Sequence, residues 1–387
     1  MTDFGGLSAA VVGTGFIGAV HVDALRRLGV GIRGVVGSSP ERAEPRARQL
    51  GVGRVYVSFE EMLADASVDV VHITSPNSAH AAQAESALRA GKHVVCEKPL
   101  ALSSEETARL RRVAAETGLV AAVNFNIRFY PQVHEMRSRI RAGSVGVPYL
   151  VTGGYRQDWL LHATDWNWRA DPDQGGDLRV VGDIGSHWFD LAGFVTGQHV
   201  AEVIADLPTF VRTRRRPTGA IETFSAATGA DTVAIPSTSE DAAIVLIRFD
   251  GGARGSLVAS QVSAGHKNDI SIEVNGAQSS VAWRGERPDR LWIGHRSGPN
   301  ESLASDASLL SPEAAAIARL PGGHVEGFEN AFAAMYRAIY SDIAAGGPSP
   351  SPVYATFDDG HEEMLVVEAV ARSARSGSWV AIERNGE

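Results

Sequence analysis

Short apolar runs alternate with Ala/Arg/Glu-rich stretches through the first 124 residues, and this alternation constrains the fold more than any other feature of the chain. Runs at 9–12, 31–36, 68–73, 93–96 and 120–124 read as strands, and the stretches at 20–28, 40–50, 58–65, 79–90 and 104–117 carry helical spacing. Continuous apolar strands separated by helix-length crossovers predict an α/β domain built on a Rossmann-type, doubly wound parallel sheet.

Past residue 130 the rhythm changes. A helix is expected at 131–142, an extended segment at 149–155 and a helix from about 185 to 196, followed by period-2 stretches at 200–212, 242–249, 253–259, 270–275 and 279–283. That pattern predicts a C-terminal α+β domain with a large, mostly antiparallel open sheet, completed by helices at 327–343 and 358–376. The segments 214–240 and 295–322, rich in Pro, Gly, Ser and Thr, read as long loops suited to a lid or an oligomer contact. A chain of 387 residues exceeds the size of a single core, and the expected division is 1–124 and 125–387.

Composition narrows the partners. A net charge of -9 argues against nucleic acid. Cys96 is the only cysteine, which excludes an intramolecular disulfide and a zinc site built on several thiolates and fits a reducing cytoplasm. The apolar N-terminal stretch has no basic residue before it and is flanked by Asp3, so no export signal is read, and nothing approaches the ~20 apolar residues of a membrane span.

Between the first strand and the first helix stands G-T-G-F-I-G, residues Gly13, Thr14, Gly15, Phe16, Ile17 and Gly18. In that context Gly13 permits the tight turn, Gly15 lets backbone approach a pyrophosphate at the helix N-terminus, and Gly18 allows close helix-sheet packing. A dinucleotide cofactor follows. The acidic residue expected about 20 positions later is absent, because the second strand ends in V-V-G-S-S-P-E-R with Gly37 at its place. Ser38, Ser39 and Arg42 suit a 2'-phosphate and favour NADP within NAD(P), although Ser39 before Pro40 also suits a helix cap.

With this fingerprint occur T-S-P-N-S-A-H at 74–80, G-K-H-V-V-C-E-K-P-L at 91–100 and D-I-G-S-H at 183–187. In combination and order they resemble the glucose-fructose oxidoreductase and inositol dehydrogenase family (Gfo/Idh/MocA). The resemblance implies that Lys98 lies beside the nicotinamide ribose and the substrate hydroxyl, that Ser75, Asn77 and His80 line the cofactor, and that Glu97 is near its ribose. It also implies a cis bond before Pro99 and places Arg169 at the nicotinamide end. Other readings stay open: Asn77 as a helix cap, His80 as a packed helix residue, and Arg169 as a salt-bridge partner for Asp171 or Asp173. The chain itself marks Lys98, since its other basic residues besides Lys92 and Lys267 are arginines and lysine is the cation whose pKa moves on desolvation.

Asp183 and His187 stand four positions apart, the spacing that stacks side chains on one helix face. They read as a helix cap with a core histidine, as metal ligands, or as a proton-transfer pair. Two ligands fall short of a catalytic zinc site, which takes three protein ligands, and no metal is expected. Oxidising a secondary alcohol requires a base for the hydroxyl proton, and imidazole suits it. Catalytic roles therefore fall to His187 as general acid/base, Asp183 as its partner and Lys98 as holder of the reacting oxygen. Three of the seven tryptophans, Trp159, Trp166 and Trp168, fall within ten positions among Arg156, Gln157, Asp158, Asp165 and Asn167. Aromatic faces edged by amides and carboxylates suit sugar rings, which makes Gln157, Asp158, Trp159 and Trp166 the expected substrate residues. The expected activity is an NAD(P)-dependent oxidoreductase acting on a hydroxyl of a sugar, inositol or glycoside. The alternatives are a glycosidase of the same fold that oxidises transiently, or a non-catalytic sensor. The resemblance further implies a homodimer or homotetramer.

Overall fold

A strand covered on both faces must be apolar throughout, and the first strand, β1 (Ser8–Val12), is buried at every position. The computed structural model describes residues 4–219 and 231–384. From β1 the chain runs through α1 (Phe16–Leu28), β2 (Gly31–Val36), α2 (Pro40–Gln49), α3 (Phe59–Ala64), β3 (Val70–Ile73), α4 (Asn77–Arg89), β4 (His93–Cys96), α5 (Ser104–Thr117) and β5 (Ala121–Val123). Ser39, Ser58 and Ser103 each accept a backbone N–H at the start of α2, α3 and α5, which fixes where those helices begin. The strands pair in parallel in the order β5-β4-β3-β1-β2, and the order switches sides between β1 and β3. Ligands of open α/β sheets bind at such a switch, outside the carboxyl ends of the strands.

The chain continues with α6 (Pro131–Arg141), β6 (Pro148–Arg156), α7 (Pro172–Gly175), a π turn at Val181–Gly185 leading into α8 (Ser186–Thr196), β7 (Val200–Asp206), β8 (Thr213–Pro217), β9 (Thr232–Pro236), β10 (Ala242–Phe249), β11 (Arg254–Ser260), β12 (Asp269–Gly276), β13 (Ser279–Arg284), β14 (Arg290–His295), β15 (Glu301–Ala304) and α9 (Pro312–Ile317). It ends in α10 (Phe328–Ala344), β16 (Ala355–Thr356), α11 (Phe357–Ser376) and β17 (Val380–Ala381). Among the described residues the large sheet runs β15-β14-β13-β12-β6-β11-β10-β7-β17, antiparallel except for the β6/β11 pair. The helices α6 and α8 pack on one face. Ile244 and Leu246 of β10 and Val258 of β11 are 48, 50 and 44 % exposed, whereas Val245 and Ile247 between and beyond them are buried, so among the described residues one face of the sheet carries uncovered apolar side chains along β10 and β11.

Four expectations differ from the structure. The strand expected at 200–212 ends at Asp206, ahead of Pro208. The expected loop at 214–240 contains the paired strands β8 and β9, with 220–230 outside the described residues, and the expected loop at 295–322 contains β15 and α9. The chain forms two compact units, Met1–Asn126 with Phe328–Met364 and Ile127–Gly327 with Leu365–Glu387, whereas the expected cut at 124/125 keeps 328–364 with the second domain. The return has a cause in pairing: β16 adds an antiparallel edge strand to β5, and α10 packs on α1. No helix among the described residues is long and apolar enough to cross a membrane.

The second unit is organised around a buried ionic cluster. Asp241 receives Arg214 Nη2 at 2.6 Å and Arg179 Nη2 on Oδ1, and the N–H groups of Phe210 and Val211 at 2.8 and 2.7 Å on Oδ2. All three side chains are essentially inaccessible to solvent. Glu240 next to it accepts the N–H groups of Arg179 and Val181 at 3.1 and 2.9 Å.

Candidate active site

In the first unit the site begins with Gly13, whose φ of +100° favours glycine and whose added Cβ would lie 2.5 Å from the carbonyl oxygen of Thr74. A Cβ on Gly18 would lie 2.3 Å from the carbonyl oxygen of Gly13, so α1 approaches the loop as closely as backbone permits. A Cβ on Gly15 meets nothing within 4 Å, and α1 opens with no side-chain cap and no acid in its first turn. Open space before an uncapped helix N-terminus fits the diphosphate of a dinucleotide. Thr14 and Ile17 complete the loop, and Phe16 is 53 % exposed at its tip.

At the end of β2, an added Cβ on Gly37 would lie 2.6 Å from that of Ala43, so α2 leaves no room there for an acidic side chain. Ser39 caps α2, accepting the Arg42 N–H at 3.4 Å, while Ser38 and Arg42 are exposed. Ser75 donates to Gln83 Oε1 at 2.6 Å. Asn77 is the first residue of α4, after Pro76 at the cap position, so the cap reading of Asn77 does not hold. His80 is buried between the carbonyl oxygens of Pro99 and Ser75, 2.8 and 2.9 Å from Nδ1 and Nε2, and braces the two segments. Burial lowers its pKa below that of a free histidine. The Lys98–Pro99 bond is cis. Glu97 accepts His21 Nε2 at 3.1 Å and the Asn124 amide on Oε1, and the Lys98 N–H at 3.2 Å on Oε2. Two of the three lysines have structural roles: Lys92 donates to the carbonyls of Asp65 and Val68 at 3.0 and 2.7 Å, and Lys267 pairs with Asp158 at 2.7 Å. Lys98 is partly exposed just past β4.

In the second unit Asp183 lies inside the π turn, in continuous helical backbone that begins at Val180, so it does not cap a helix. Its carboxylate takes Arg169 Nε at 2.9 Å on Oδ1 and Gln261 Nε2 at 2.8 Å on Oδ2. Arg169 thus pairs with Asp183, while Asp171 instead accepts the Asp173 N–H at the start of α7. His187 follows on the first turn of α8, 8 % exposed, with its ring centroid 6.1 Å from that of Tyr155. The Tyr155 hydroxyl donates to Asn268 Oδ1 at 2.5 Å; burial, and then the charge of Asp183, push its pKa well up. One residue beyond His187, Trp188 Nε1 donates to the Ser271 carbonyl at 3.0 Å, and Arg128 Nε reaches both oxygens of Asp190 at 3.1 and 3.0 Å. These contacts lock α8 against β12 and the segment before α6. Gaps in regular helical hydrogen bonding of the π type recur at functional sites.

The tryptophan-rich segment lies at the carboxyl end of β6. Trp159 Nε1 donates to Gln157 Oε1 at 2.7 Å, and Gln157 Nε2 reaches Asn268 Oδ1 at 3.3 Å. Asp158 is held by Lys267 and by the Gly265 N–H at 3.0 Å, and these donors, Lys267 foremost, keep its carboxyl below the usual range against the opposing effect of burial. Its structural place is therefore as an anchor for the 263–268 loop. Trp166 and Trp168 are half-buried, and the Arg169 guanidinium lies 4.4 Å over Trp168. Arg214 Nη1 ties this segment down through the carbonyls of Leu160, His162 and Asp165 at 3.1, 3.4 and 3.4 Å. Gln261, Tyr155 and Asn268 are the residues that sequence reasoning missed. Their signal is faint, a tyrosine near the end of a strand and two amides bracketing the loop after β11. Among the described residues no group of three or more His, Cys, Asp or Glu side chains is placed to hold a metal.

Comparison with known proteins supplies the context for this geometry. The model of an oxidoreductase family with an NAD-binding Rossmann fold matches residues 7–148, and that of the GFO/IDH/MocA C-terminal domain matches residues 133–282. A levoglucosan dehydrogenase of Pseudarthrobacter phenanthrenivorans is 28 % identical over 97 % of this chain and 98 % of its own. An oxidoreductase domain protein of Kribbella flavida superposes with a TM-score of 0.86 at 30 % identity, covering 98 % of this chain and 99 % of its own. A levoglucosan dehydrogenase in complex with NADH and levoglucosan gives 0.86 at 27 % identity over 98 % of this chain and 100 % of its own. With both family domains matched in order and fold and length shared throughout, the chain belongs to the Gfo/Idh/MocA family of oxidoreductases.

Proposed function

We propose that the protein moves a hydride between a nicotinamide cofactor and a secondary hydroxyl or ketone of a sugar, inositol or glycoside. The observation that carries the reading is the placement of Asp183 and His187 on one stretch of helix, with the Asp183 charge fixed by Arg169 and Gln261. A fixed carboxylate favours the imidazolium that forms when His187 takes the hydroxyl proton. Lys98 holds the reacting oxygen and stabilises its developing negative charge. The bound cofactor supplies or accepts the hydride; Gly13 to Gly18 hold its diphosphate, and Ser75, Asn77, Glu97 and Arg169 line the rest. Gln157, Trp159 and Trp166 receive the sugar, and Asp158 anchors the adjoining 263–268 loop. Relatives that act on levoglucosan make anhydrosugars the first candidates. The test is a screen at 340 nm with NAD and NADP separately over inositols, aldoses, anhydrosugars and glycosides. Reduction of cofactor by one class supports the reading. Release of an aglycone without net NAD(P)H would replace it with transient-oxidation glycosidase chemistry, and tight cofactor binding with no turnover would make the protein a sensor.

NADP is the preferred cofactor in this proposal, because Gly37 excludes the acid that would repel a 2'-phosphate and Arg42 is free of burial. A charge-assisted bond at an exposed site is worth about 1.5 kcal/mol, so Arg42→Ala raises KM for NADP about tenfold and leaves KM for NAD within about twofold in steady-state assays. The protein works in the cytoplasm as a homodimer or homotetramer joined through the uncovered sheet face. Leu246→Glu with Ile244→Glu then yields a monomer by light scattering, whereas an unchanged mass would remove that face as the interface.

A further inference from the structure

Below Glu97 the first unit buries a row of polar groups that the proposed chemistry does not use. His21 of α1 and His72 of β3 are both inaccessible to solvent. Their Nδ1 atoms face each other at 3.0 Å, His21 Nε2 lies 3.1 Å from Glu97 Oε1, and His72 Nε2 lies 2.9 Å from the Tyr340 hydroxyl. Phe332, Tyr336 and Tyr340 recur every fourth residue on α10 and enclose the pair. Their rings stand 5.7 and 5.3 Å from His21 (Phe332 and Tyr336) and 4.9 and 6.0 Å from His72 (Tyr336 and Tyr340). A histidine in the middle of a buried strand is an unusual choice, since apolar residues alone would fill that position.

With both rings neutral, the distances place the hydrogens. A carboxylate only accepts, so His21 carries its hydrogen on Nε2 and presents a bare Nδ1. Only one hydrogen fits between the two facing Nδ1 atoms, and His72 must supply it. That leaves His72 Nε2 bare, and the Tyr340 O–H donates to it. Burial, with His21 adjacent, drives the His72 pKa well down, in keeping with a neutral ring. Every donor in the row points toward Glu97, which also takes the Asn124 amide and the Lys98 N–H.

We propose that Tyr340, His72 and His21 form a one-way hydrogen-bond relay that fixes the Glu97 carboxylate, and through it the backbone of Lys98, with His72 and His21 as positioning residues. The inference rests on the reading of Lys98 as the group that holds the reacting oxygen. Hydrogen bonds polarised in one direction strengthen one another, and a carboxylate fed by such a chain holds one rotamer.

The test begins with two-bond 1H–15N correlation spectra of the full chain labelled at histidine, recorded without cofactor or substrate. The expected result is opposite tautomers, Nε2–H for His21 and Nδ1–H for His72, with Tyr340→Phe moving the signal of the unprotonated His72 nitrogen. An Nε2–H tautomer at His72, or a doubly protonated His21, overturns the relay. In kinetics, His72→Leu lowers kcat about tenfold with KM for cofactor within twofold, and His72→Asn, whose amide restores a donor to His21, recovers most of it. Equal kcat for His72→Leu and wild type overturns the positioning role. Because the tautomers are read without turnover, a failure of the Lys98 reading, seen as an active Lys98→Met enzyme, is distinct from a failure of the relay.

Discussion

His187→Ala lowers kcat by about 10² to 10⁴ while the dissociation constant for cofactor stays within about twofold. The separation follows from where the residue sits: His187 belongs to the Ile127–Gly327 unit, and the glycine loop belongs to the other. In the proposed mechanism, removing the base leaves hydride transfer to proceed with water as proton acceptor, and the lost stabilisation, about 3 to 5 kcal/mol, falls on the transition state rather than on binding. Lys98→Met lowers kcat by a similar factor, because methionine fills the space of the lysine stem without its charge. The double variant costs little more than either single one, as is usual for groups acting on one oxygen and its proton. Stopped-flow measurement of the first turnover separates chemistry from product release. Near-parental first turnover in either single variant would remove that residue from the mechanism.

Asp241→Asn destabilises the second unit by about 3 to 5 kcal/mol, the cost of leaving buried cationic partners without their anion. Arg179 and Arg214 both converge on Asp241 Oδ1, so one amide substitution takes the shared carboxylate from two buried guanidinium groups. All seven tryptophans, from Trp159 to Trp379, lie in this unit, so tryptophan emission in a urea titration follows its unfolding apart from that of the other unit. The sign with pH also follows. Burial alone would raise the Asp241 pKa, but the Val211 N–H and the two arginines outweigh it and leave it below the usual value. A carboxyl depressed in this way adds stability above its unfolded pKa and loses it as pH falls through the folded one. The gap between wild type and Asp241→Asn is therefore full at pH 7 and narrows below about pH 4. An unchanged emission midpoint at pH 7 would contradict the assignment.

The first unit was legible because its signals are local. Apolar runs mark β2 and β4 to the residue, serines before α2, α3 and α5 supply caps, and the glycine loop specifies its own backbone. Asp183 shows where local reading fails. As a short polar residue among glycines it resembles a helix start, but the helix begins earlier because Glu240, about 60 residues away, receives the N–H groups of Arg179 and Val181. No pattern within 179–187 carries that information. Strands β8 and β9 were hidden for a related reason: T-R-R-R-P looks like a solvated loop until Arg214 is buried by the carbonyls of Leu160, His162 and Asp165. The amphipathic spacing of α10 announced a helix and a buried stripe, but periodicity does not name the partner, and the partner turned out to be α1, some 300 residues earlier.

That late return of α10 and β16 also has a consequence for synthesis. The first unit has its five parallel strands once residue 126 is made, yet the aromatic stripe that encloses His21 and His72 is encoded after Gly327. At translation speeds of 5–20 residues per second the intervening stretch takes roughly 10 to 40 s to emerge. For that interval the nascent Rossmann sheet has two histidines and the inner side of α1 without their cover, so this unit completes its core only after most of the other has left the ribosome.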